Sequence, residues 1–423
     1  MDSFEIDEGT DYVGYQEAFR LICSNVHPVG VEEMPLGSCV GRMASEDLVA
    51  RVSYPSGDIS LKDGFAVRSK SVATASVQSP VCLRVIGSVF PGSKFEGEIR
   101  PGSAVKVTSG ALIPCDLNAV VSGEFCEEVS PQEVFVKADA EEGRNVLRTG
   151  EEIRAGATIA KRGEVLLPGR LGLGAAAGIT RARVYRRPKA AGVGVGDEVV
   201  APGGHLRPGH LYASNLVTMG AWLTSFGVPF DSSVVKDNRD AIQKELLRHL
   251  PNVDVILTSG GAWGSERDLV VGVLDALGWQ EIFHHVRMGP GKGIAFGIWD
   301  GKPVFCLPGG PASNEMAFVQ LALPGILHMG GQTKPPLQTV FAKLTENLKG
   351  RHRAWTEFKE ATLSCDSQGN YTVNLYKNRS RLQAIANANC LICIPEGRES
   401  LSPGEMVPVQ ILVPCLAGIE PGI

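Results

Sequence analysis

The feature that most constrains this fold is a regular alternation of strands and helices between Pro188 and Gly330. Short runs of apolar and β-branched residues, such as Val253–Ser259, are each followed by a helical segment of about 12 residues. This alternation is typical of a parallel sheet with helices on both faces. Ligands bind to such sheets beyond the carboxyl ends of the strands, so a functional site is expected there.

The chain on either side of this region has the pattern of β-rich domains. Short β segments broken by glycine and proline extend from Lys62 to Val136, and apolar–polar alternation returns after Lys334. Helical periodicity is limited to Tyr15–Val26 and Leu171–Gly178 in these parts. We therefore predict a multidomain α/β plus β protein. It has a central three-layer α/β/α domain, a β-rich inserted domain, a mixed linker domain and a C-terminal β-barrel-like domain.

The length of 423 residues requires more than one core. The domain boundaries are predicted where the pattern changes. Residues 1–50 and 140–186 form the linker domain, and residues 51–139 form the β-rich inserted domain. Residues 187–331 form the α/β domain, and residues 332–423 form the C-terminal β domain.

The composition excludes several classes of protein. A net charge of -5 argues against a nucleic-acid-binding protein. No apolar run approaches the ~20 residues of a membrane span, and the acidic N-terminus does not resemble a signal peptide. We expect a cytoplasmic protein that binds no membrane.

The pair Cys390 and Cys393 lies in a predicted strand without a second pair or a nearby histidine, so we interpret both as buried thiols rather than zinc ligands.

Three glycine-containing loops are predicted at the same edge of the sheet. Gly260 and Gly261 follow Val253–Ser259, the segment Leu307–Pro311 follows another strand, and Gly194–Val200 follows the first. Glycine lets the backbone approach a ligand closely, and a helix N-terminus favours an anion. Each loop alone is explained as an ordinary connection. Together they indicate a cleft for a ligand that carries phosphate.

The same loops carry charged residues. Acids and bases at one sheet edge suit Mg²⁺ bridging to phosphate, because Mg²⁺ binds through few carboxylates and through ligand oxygens. For Glu266, Arg267 and Asp268 a solvated helix start is an equal explanation. The charged residues expected at this edge are Asp197, Glu198, Asp237, Asp268, Arg287 and Lys292.

His284 and His285 are neighbours on a predicted strand, so they are expected to face opposite sides and not to share a metal ion.

Ten segments occur in an order that resembles one family over nearly the whole chain. They are "LGSCVGRMASEDLVA", "SLKDGFAV", "VTSGALIPCDLNAVV", "RTGEEIRAGA", "GVGDEVVAPG", "GHLYASN", "ILTSGGAWGSERD", "MGPGKGIAFG", "CLPGGPAS" and "ANANCLICIPEG". Each is weak alone, but the set resembles the molybdopterin molybdenumtransferases, the MoeA and gephyrin E-domain family.

The resemblance implies an activity and a set of partners. The family inserts molybdate, or tungstate, into adenylylated molybdopterin and releases AMP with Mg²⁺. It implies elongated homodimers of four domains, with the site shared between the α/β domain and the partner subunit's β-rich domain. A molybdopterin adenylyltransferase is the implied supplier of the substrate.

The resemblance also implies roles for individual residues. The implied catalytic residues are Asp63, Glu198, Asp237, Asp268 and Lys292. The implied metal ligands are Glu152, Glu198, Asp237 and Asp268. The implied residues that bind the pterin nucleotide are Gly260, Gly261, Ser265, Asn215, His285, Pro308, Gly309 and Pro311.

Departures from the family pattern lie at the implied site. Gly289 stands where a lysine would face an oxyanion, Ala213 where an aspartate is usual, and Gly310 where an asparagine is usual. His285 stands where another lysine is common. Either His285, if protonated, or Arg287 would partly substitute for a lost ammonium. Two alternatives to the transferase follow. One is a paralog that binds a pterin or nucleotide without insertion chemistry, and the other is an enzyme that cleaves a different nucleotide-linked phosphate with Trp263 stacked on a base.

Overall fold

The computed structural model describes residues 12–260, 269–377 and 380–412. The chain forms two compact units. The larger contains the residues up to Val31 and those from Tyr185 onward, and the smaller contains Glu32–Val184. Among the described residues, none of the helices has the length and hydropathy needed to cross a membrane.

The strands up to the start of the α/β region are short. They are β1 (Val13–Gly14), β2 (Val31–Pro35), β3 (Leu48–Val49), β4 (Ile59–Ser60), β5 (Gly64–Val67), β6 (Val81–Val89), β7 (Ser103–Val107), β8 (Ala119–Ser122), β9 (Cys126–Ser130), β10 (Glu133–Val136), β11 (Val146–Leu147), β12 (Thr158–Ala160) and β13 (Arg181–Tyr185).

The remaining strands belong to the larger unit. They are β14 (Ala190–Val195), β15 (Val199–Val200), β16 (Leu211–Tyr212), β17 (Phe230–Val235), β18 (Val255–Ser259), β19 (Gln280–His284), β20 (Val286–Gly289), β21 (Ala295–Trp299), β22 (Lys302–Leu307), β23 (Thr339–Leu344), β24 (Leu348–Lys349), β25 (Thr356–Cys365), β26 (Tyr371–Leu375), β27 (Cys390–Ile394), β28 (Ser400–Leu401) and β29 (Met406–Ile411).

The α-helices are distributed over both units. They are α1 (Tyr15–Asn25), α2 (Pro168–Ala176), α3 (Ser214–Ser225), α4 (Arg239–His249), α5 (Leu269–Ala276), α6 (Pro311–Ala317), α7 (Leu323–Met329) and α8 (Arg381–Asn387). A π-helical turn, Phe318–Ala322, joins α6 to α7.

The α/β region forms one six-stranded sheet in the order β17-β14-β18-β22-β21-β19. The strands β17, β14, β18 and β22 are parallel, which confirms the predicted parallel core. The strands β21 and β19 add an antiparallel edge. Two separate buried clusters cover the sheet, one containing Leu257 and Phe305 and the other containing Ile256 and Val304. Since successive side chains of a strand face opposite sides, these clusters are the two outer interfaces of a three-layer fold.

The helices α4 and α3 differ in how their N-termini are capped. Asn238 caps α4 as its side chain accepts a hydrogen bond from the backbone N–H of Ala241. The start of α3 has no such cap, although it carries Ser214 and Asn215, two residue types that commonly cap helices. The N-cap is Ala213, and no side chain caps this end. The Asn215 side chain instead bonds to neighbouring loops, so the first turn of α3 keeps free backbone N–H groups.

The first helix belongs to the larger unit. Ala18 and Ile22 are completely buried in the core that contains Phe305. Gly325 on α7 makes this packing close, since a Cβ there would meet a methyl of Ile22 at 2.6 Å. The apolar face of α1 therefore fixes its place in this core. The domain boundaries predicted from the sequence stay a prediction.

The C-terminal strands form a closed ring, which confirms the barrel-like prediction. β25 pairs with both β26 and β27, so the order β25-β26-β23-β29-β27 returns to its start. β20 then pairs in parallel with β25, and β1 pairs in parallel with β20. The pairing of β20 with β25 attaches the turn that carries Lys292 to this ring. Cys390 and Cys393 lie on β27, and the described cysteines are free thiols.

The smaller unit contains the sheet β8-β5-β7-β6-β10-β9. Phe65 and Val67 enter one buried cluster and Ala66 another, so β5 is covered on both faces. Asp63 directly precedes β5 and is exposed, and its carboxylate accepts a hydrogen bond of 2.7 Å from the Ser109 N–H. A Cβ at Gly64 would lie 2.1 Å from the Val121 carbonyl oxygen, so this turn requires glycine.

Gly260 ends the central strand in a conformation that other residues rarely adopt. Its φ is +97°, and a Cβ would lie 2.5 Å from the Val195 carbonyl oxygen. Its N–H donates to the Leu307 carbonyl at 3.1 Å. The space that a side chain would occupy at Gly260 is thus taken by the protein's own backbone. The glycine holds the loops after β14, β18 and β22 together.

We predict that Gly260→Ala lowers the free energy of unfolding by about 2 kcal/mol, because the backbone must strain or the loops must separate. Gly310→Ala is the matched control, since it has a negative φ and open space around its Cβ position. Its effect is expected to stay within about 0.5 kcal/mol. Chemical denaturation measures both. Equal stabilities of Gly260→Ala and wild type would contradict the steric account.

Candidate functional site

A cavity of about 820 Å³ lies at the carboxyl ends of the parallel strands in the larger unit. The loops after β14, β17, β18 and β22 line it, together with the first turn of α3. The predicted site residues found here are Glu198, Asp237, Asn215, Gly260, Pro308, Gly309 and Pro311. The free N–H groups of the uncapped first turn of α3 are the groups that favour an anion. The cavity is therefore large and polar enough for a nucleotide-sized ligand that carries phosphate.

Carboxylates gather on one side of this cavity. Asp197, Glu198 and Asp237 line it, and the Asp197 N–H donates to the Asp237 carboxylate at 3.3 Å. A Cβ at Gly196 would lie 2.7 Å from a Glu198 carboxylate oxygen, so glycine lets that side chain fold back over the turn. All three acids are exposed. Exposed carboxylates at one edge are available to a cation that a ligand brings with it.

Two amides hold the opposite wall of the cavity in place. The Asn215 amide donates to the Ser259 hydroxyl at 3.0 Å and to the Gly309 carbonyl at 2.9 Å. The Asn314 amide donates to the same hydroxyl at 3.1 Å and to the Pro308 carbonyl at 2.8 Å. Ser259 and Asn314 are buried. The network ties the loop after β22 to the end of β18, so Asn215 shapes the site as well as lining it.

A second cavity, of about 480 Å³, lies beside the first in the same unit. It is bounded by the Met288–Lys292 turn, by α6, and by the ring strand β25 with α8. Ser313 and Arg381 line both cavities. The cations that line the second cavity are Lys292, Arg351, Lys359 and Arg381. Two cavities with a common wall can hold two reacting groups next to each other.

One buried carboxylate organises the cationic wall. Glu357 is 3% exposed and accepts hydrogen bonds from the Lys359 ammonium at 2.7 Å, from the His352 N–H at 3.0 Å and from the Arg351 N–H. Burial opposes ionisation of Glu357, but these donors outweigh it and lower the pKa of the carboxyl. Glu357 therefore stays charged and fixes both the Lys359 side chain and the backbone at Arg351.

Lys292 is placed at the second cavity. Its ammonium lies 6.0 Å from the centre of the Trp355 ring, within the range of a cation–π contact. The hydrogen bond from the Val286 N–H to the Lys292 carbonyl closes the turn. Gly289, which begins this turn, pairs with Glu357 of β25. Lys292 is thus a predicted site residue that faces a different cavity from the glycine loops.

His285 does not line either cavity, and two expectations about it are corrected. Its φ of +71° ends the strand, so its ring turns back and stacks on His284 at 4.1 Å instead of facing the opposite side. Tyr12 stacks on His285 at 4.9 Å. Burial, followed by the charges of His284 and Lys292, lowers the pKa of His285 to about 4. His285 is therefore neutral at pH 7 and does not replace an ammonium.

Glu315, whose carboxyl has an unusually high pKa, lies behind the wall that the two cavities share. Glu315 on α6 accepts a hydrogen bond of 3.1 Å from the Trp222 indole N–H. Burial raises the pKa of Glu315 to about 7, the Trp222 bond opposes this, and the negative charge of Glu360 adds to it. Glu360 itself lines the second cavity. Glu315 thus changes its charge near neutral pH.

The structure places some of the remaining predicted residues in the smaller unit and does not describe the others. Gly261, Ser265 and Asp268 fall outside the described residues, as does Trp263. Asp63 and Glu152 lie on exposed turns of the smaller unit. Their roles, like those of the other predicted site residues, stay predictions.

Sequence reasoning missed the residues that the C-terminal domain contributes. Glu357, Lys359 and Arg381 follow no glycine loop, and Arg351 follows only the single Gly350. A strand-and-helix pattern does not show which ring residues face the α/β domain. A signal was present in the alternating charges of "TEFKEA" and in the arginine that begins "RLQAIANA". Neither specifies a binding site without the fold.

The acids of the first cavity fit Mg²⁺ only together with a ligand. In the part of the chain that the structure describes, no three His, Cys, Asp or Glu side chains are arranged to hold a metal ion by themselves. Mg²⁺ is commonly bound by one or two carboxylates, by water and by phosphate oxygens. Glu198 and Asp237 match the protein part of such a donor set.

Three family models match successive parts of the chain. "MoeA N-terminal region (domain I and II)" matches residues 13–178, and "Probable molybdopterin binding domain" matches residues 192–328. "MoeA C-terminal region (domain IV)" matches residues 342–412. The second of these spans the glycine loops and the α/β sheet, and the third spans the strand ring.

Relatives and solved structures cover nearly the whole chain. It is 30% identical over 392 residues to the molybdopterin molybdenumtransferase of Haemophilus influenzae, which covers 90% of this chain and 94% of that protein. It is 28% identical to molybdopterin molybdenumtransferase 2 of Mycobacterium tuberculosis, covering 93% and 98%. A molybdopterin biosynthesis MoeA protein from Pyrococcus horikoshii superposes with a TM-score of 0.80 at 30% identity, covering 95% and 99%. The predicted fold class is thereby confirmed.

We predict that Glu315→Gln stabilises the protein increasingly as the pH rises from 5 to 7.5. The folded pKa is about 7 and the ordinary value is 4.5, so between them the folded state holds a proton that the unfolded state lacks. Wild-type stability therefore falls across this window. Gln carries no such proton, and the gain should reach about 2–3 kcal/mol at pH 7.5.

Denaturation at several pH values measures this gain. Asp240→Asn is the control, because it removes an exposed carboxylate from the first turn of α4. Its effect should not change with pH over this range. A gain for Glu315→Gln that is the same at pH 5 and pH 7.5 would contradict the protonation of Glu315.

Proposed function

The chain belongs to the molybdopterin molybdenumtransferase family, and on that premise we propose that it is a transferase of molybdenum cofactor biosynthesis. The proposed reaction inserts molybdate, or tungstate, into adenylylated molybdopterin and releases AMP. The observation that supports it best is the pair of cavities with a common wall at Ser313 and Arg381. One cavity has the loops and carboxylates for a diphosphate, and the other has the cations for an oxyanion.

We propose that the adenylylated pterin occupies the first cavity. Its volume of about 820 Å³ falls within the range of small-molecule and cofactor sites. The uncapped start of α3 provides N–H groups for phosphate oxygens, and the loop held by Asn215 and Asn314 shapes the far wall. The pterin dithiolene then points towards Ser313.

Molybdate is the second substrate, and the second cavity suits its double negative charge. Lys292, Lys359 and Arg351 line that cavity, and Glu357 keeps the last two in place. In the transfer, two Mo–S bonds form and one oxo group leaves as water with the two thiol protons. Cleavage of the anhydride by water gives AMP and the pterin monophosphate. Arg381 lies at the common wall, where its positive charge is next to both proposed substrates.

Mg²⁺ is part of the proposal through Glu198 and Asp237, with Asp268 and Glu152 as further candidate ligands. When bound, Mg²⁺ supplies neutralisation of the diphosphate charge. The carboxylates would hold that ion and through it orient the anhydride, and the loop glycines keep side chains out of its path.

Three further parts of the proposal concern the oligomeric state, the supply of the substrate and the cellular compartment. We propose a homodimer in which Asp63 and Glu152 of a second copy complete the site, because both are exposed on turns of the smaller unit. The class of enzyme that supplies the substrate is a molybdopterin adenylyltransferase. We place the reaction in the cytoplasm.

We predict that Asp237→Asn lowers AMP release from adenylylated molybdopterin at least about 100-fold, because a carboxylate ligand is lost from the Mg²⁺ that would neutralise the diphosphate. The measurement is AMP release by the purified full chain with Mg²⁺, with and without molybdate. Asp240→Asn, three residues along the chain and outside the cavity, is the matched control.

The outcomes separate the candidate functions. Molybdate-dependent release by wild type supports the transferase. Tight binding of the adenylylated pterin without release would support a binding protein instead. Release that does not depend on molybdate would favour an enzyme that cleaves another nucleotide-linked phosphate.

We predict that Lys292→Met raises the molybdate concentration for half-maximal AMP release about 10-fold to 100-fold, since an ammonium–oxyanion bond is lost. The binding of the adenylylated pterin should be nearly unchanged. Lys244→Met on α4 serves as the control for loss of a positive charge. An unchanged molybdate requirement in Lys292→Met would remove the second cavity from the proposal.

A further inference from the structure

Two backbone carbonyls fix the direction of the hydrogen bonds at Ser259. The Gly309 carbonyl accepts at 2.9 Å from the side-chain amide of Asn215, and the Pro308 carbonyl accepts at 2.8 Å from that of Asn314. A carbonyl oxygen can only accept, so the amide nitrogen makes the contact in both cases. The same two nitrogens lie 3.0 and 3.1 Å from the Ser259 hydroxyl oxygen. Since each nitrogen is a donor, this oxygen accepts both bonds.

The Ser259 hydroxyl is therefore left with one proton to donate. A serine hydroxyl has two acceptor lone pairs and one O–H donor, and the two amides occupy both lone pairs. Within residues 12–260, 269–377 and 380–412, no acceptor for this proton is found. A buried donor without an acceptor is costly, so its presence at the edge of a sheet indicates that a ligand supplies the acceptor.

The Ser259 proton is available to the first cavity. Ser259 is 7% exposed and lines this cavity together with Ser214 and Asn215, which begin α3. The first turn of α3 has no side-chain cap, so it keeps free backbone N–H groups. Donors of two kinds, a buried hydroxyl and helix N–H groups, therefore border the same cavity, and the Asn215 side chain joins them.

We propose that Ser259 donates its proton to a phosphoryl oxygen of the ligand in the first cavity, and that Asn215 and Asn314 hold the hydroxyl in this orientation. The inference rests on the proposed function, because it assigns a nucleotide with a diphosphate to that cavity. An ionised phosphoryl oxygen carries no proton, so it fits a wall of donors. Ser259 is thus a binding residue that selects for phosphate, and the two asparagines are positioning residues.

A purely structural role for Ser259 is the alternative explanation, and Asn314 separates the two. Ser259→Ala removes the bonds to both asparagines and also the O–H donor. Asn314→Ala likewise removes two bonds, those to Ser259 and Pro308, but it keeps the hydroxyl. If Ser259 only joins the loops, the two variants should weaken the binding of a phosphate ligand equally. If Ser259 is a donor, its loss should weaken binding much more.

The experiment is calorimetric titration of the full chain with ADP and with inorganic diphosphate, each with Mg²⁺. Ser259→Ala is expected to bind both probes about 10-fold to 100-fold more weakly than wild type, since a hydrogen bond to a charged oxygen is lost. Asn314→Ala is expected to bind them at most about threefold more weakly, because only the ordering of the loop suffers. Equal losses in the two variants would overturn the proposal.

A control variant tests the removal of a serine hydroxyl as such. Ser225 lies at the other end of α3, is exposed, and donates its hydroxyl proton to the Trp222 carbonyl at 2.7 Å. Ser225→Ala should bind ADP and inorganic diphosphate as wild type does. A loss in Ser225→Ala as large as that in Ser259→Ala would count against a specific role of Ser259.

A measurement on wild type keeps the test independent of the stability of the variants. In a crystal structure of the full chain with ADP and Mg²⁺, a phosphoryl oxygen is expected within about 3 Å of the Ser259 hydroxyl oxygen. ADP whose phosphoryl oxygens all lie beyond about 4 Å from that atom would overturn the proposal.

Failure of the proposed function gives a different result. If wild type binds neither ADP nor inorganic diphosphate, the assignment of a phosphate ligand to the first cavity is wrong, and the role of Ser259 is wrong with it. If wild type binds both probes and Ser259→Ala binds them equally well, the cavity keeps its assignment and only the role of Ser259 is wrong.

Discussion

The close contact between the Gly260 backbone and the Val195 carbonyl is the constraint on which the first cavity depends. It joins the ends of β18 and β14, and the Gly260 N–H joins β18 to the end of β22. The Asn215 and Asn314 amides then tie the loop after β22 to Ser259. Backbone packing and side-chain hydrogen bonds thus preform the loops at one sheet edge before any ligand arrives. Preformed loops lose less entropy when a ligand binds.

The second cavity depends on the pairing of β20 with β25. That parallel pair brings the Lys292 turn from the α/β domain beside the strand ring, where Glu357 holds the facing cations. α6 extends from the first cavity to the second, and Ser313 lies at both. The strand pair and the helix place a phosphate-type pocket next to an oxyanion-type pocket. This proximity, rather than the residues of either pocket alone, is what a transfer between two substrates requires.

The sequence predicted the elements better than the contacts between them. The alternation around Val253–Ser259 identified the parallel core because strands and helices differ in period. The first helix was recognised from its apolar face, but that face does not show which core the helix enters. His285 was misplaced for a related reason: a positive φ at a non-glycine residue cannot be read from its neighbours. The cations at Arg351 and Lys359 could not be predicted, since the closure of the strand ring decides which side chains face the α/β domain.

The glycine at position 289 bears on the charge of the second cavity. Resemblance to the family implies a lysine at this position. Without that lysine, the positive charge of the cavity rests on Lys292 and on the residues that Glu357 holds in place.

The most direct measurement is a crystal structure of the full chain with tungstate and an adenylylated pterin or AMP, with tungsten located by anomalous scattering. Two substrates in adjoining cavities predict a tungsten peak beside Lys292, within reach of Ser313, and a nucleotide phosphate at the start of α3. A tungsten peak among Glu198 and Asp237, or a nucleotide in the second cavity, would contradict the assignment of the two cavities.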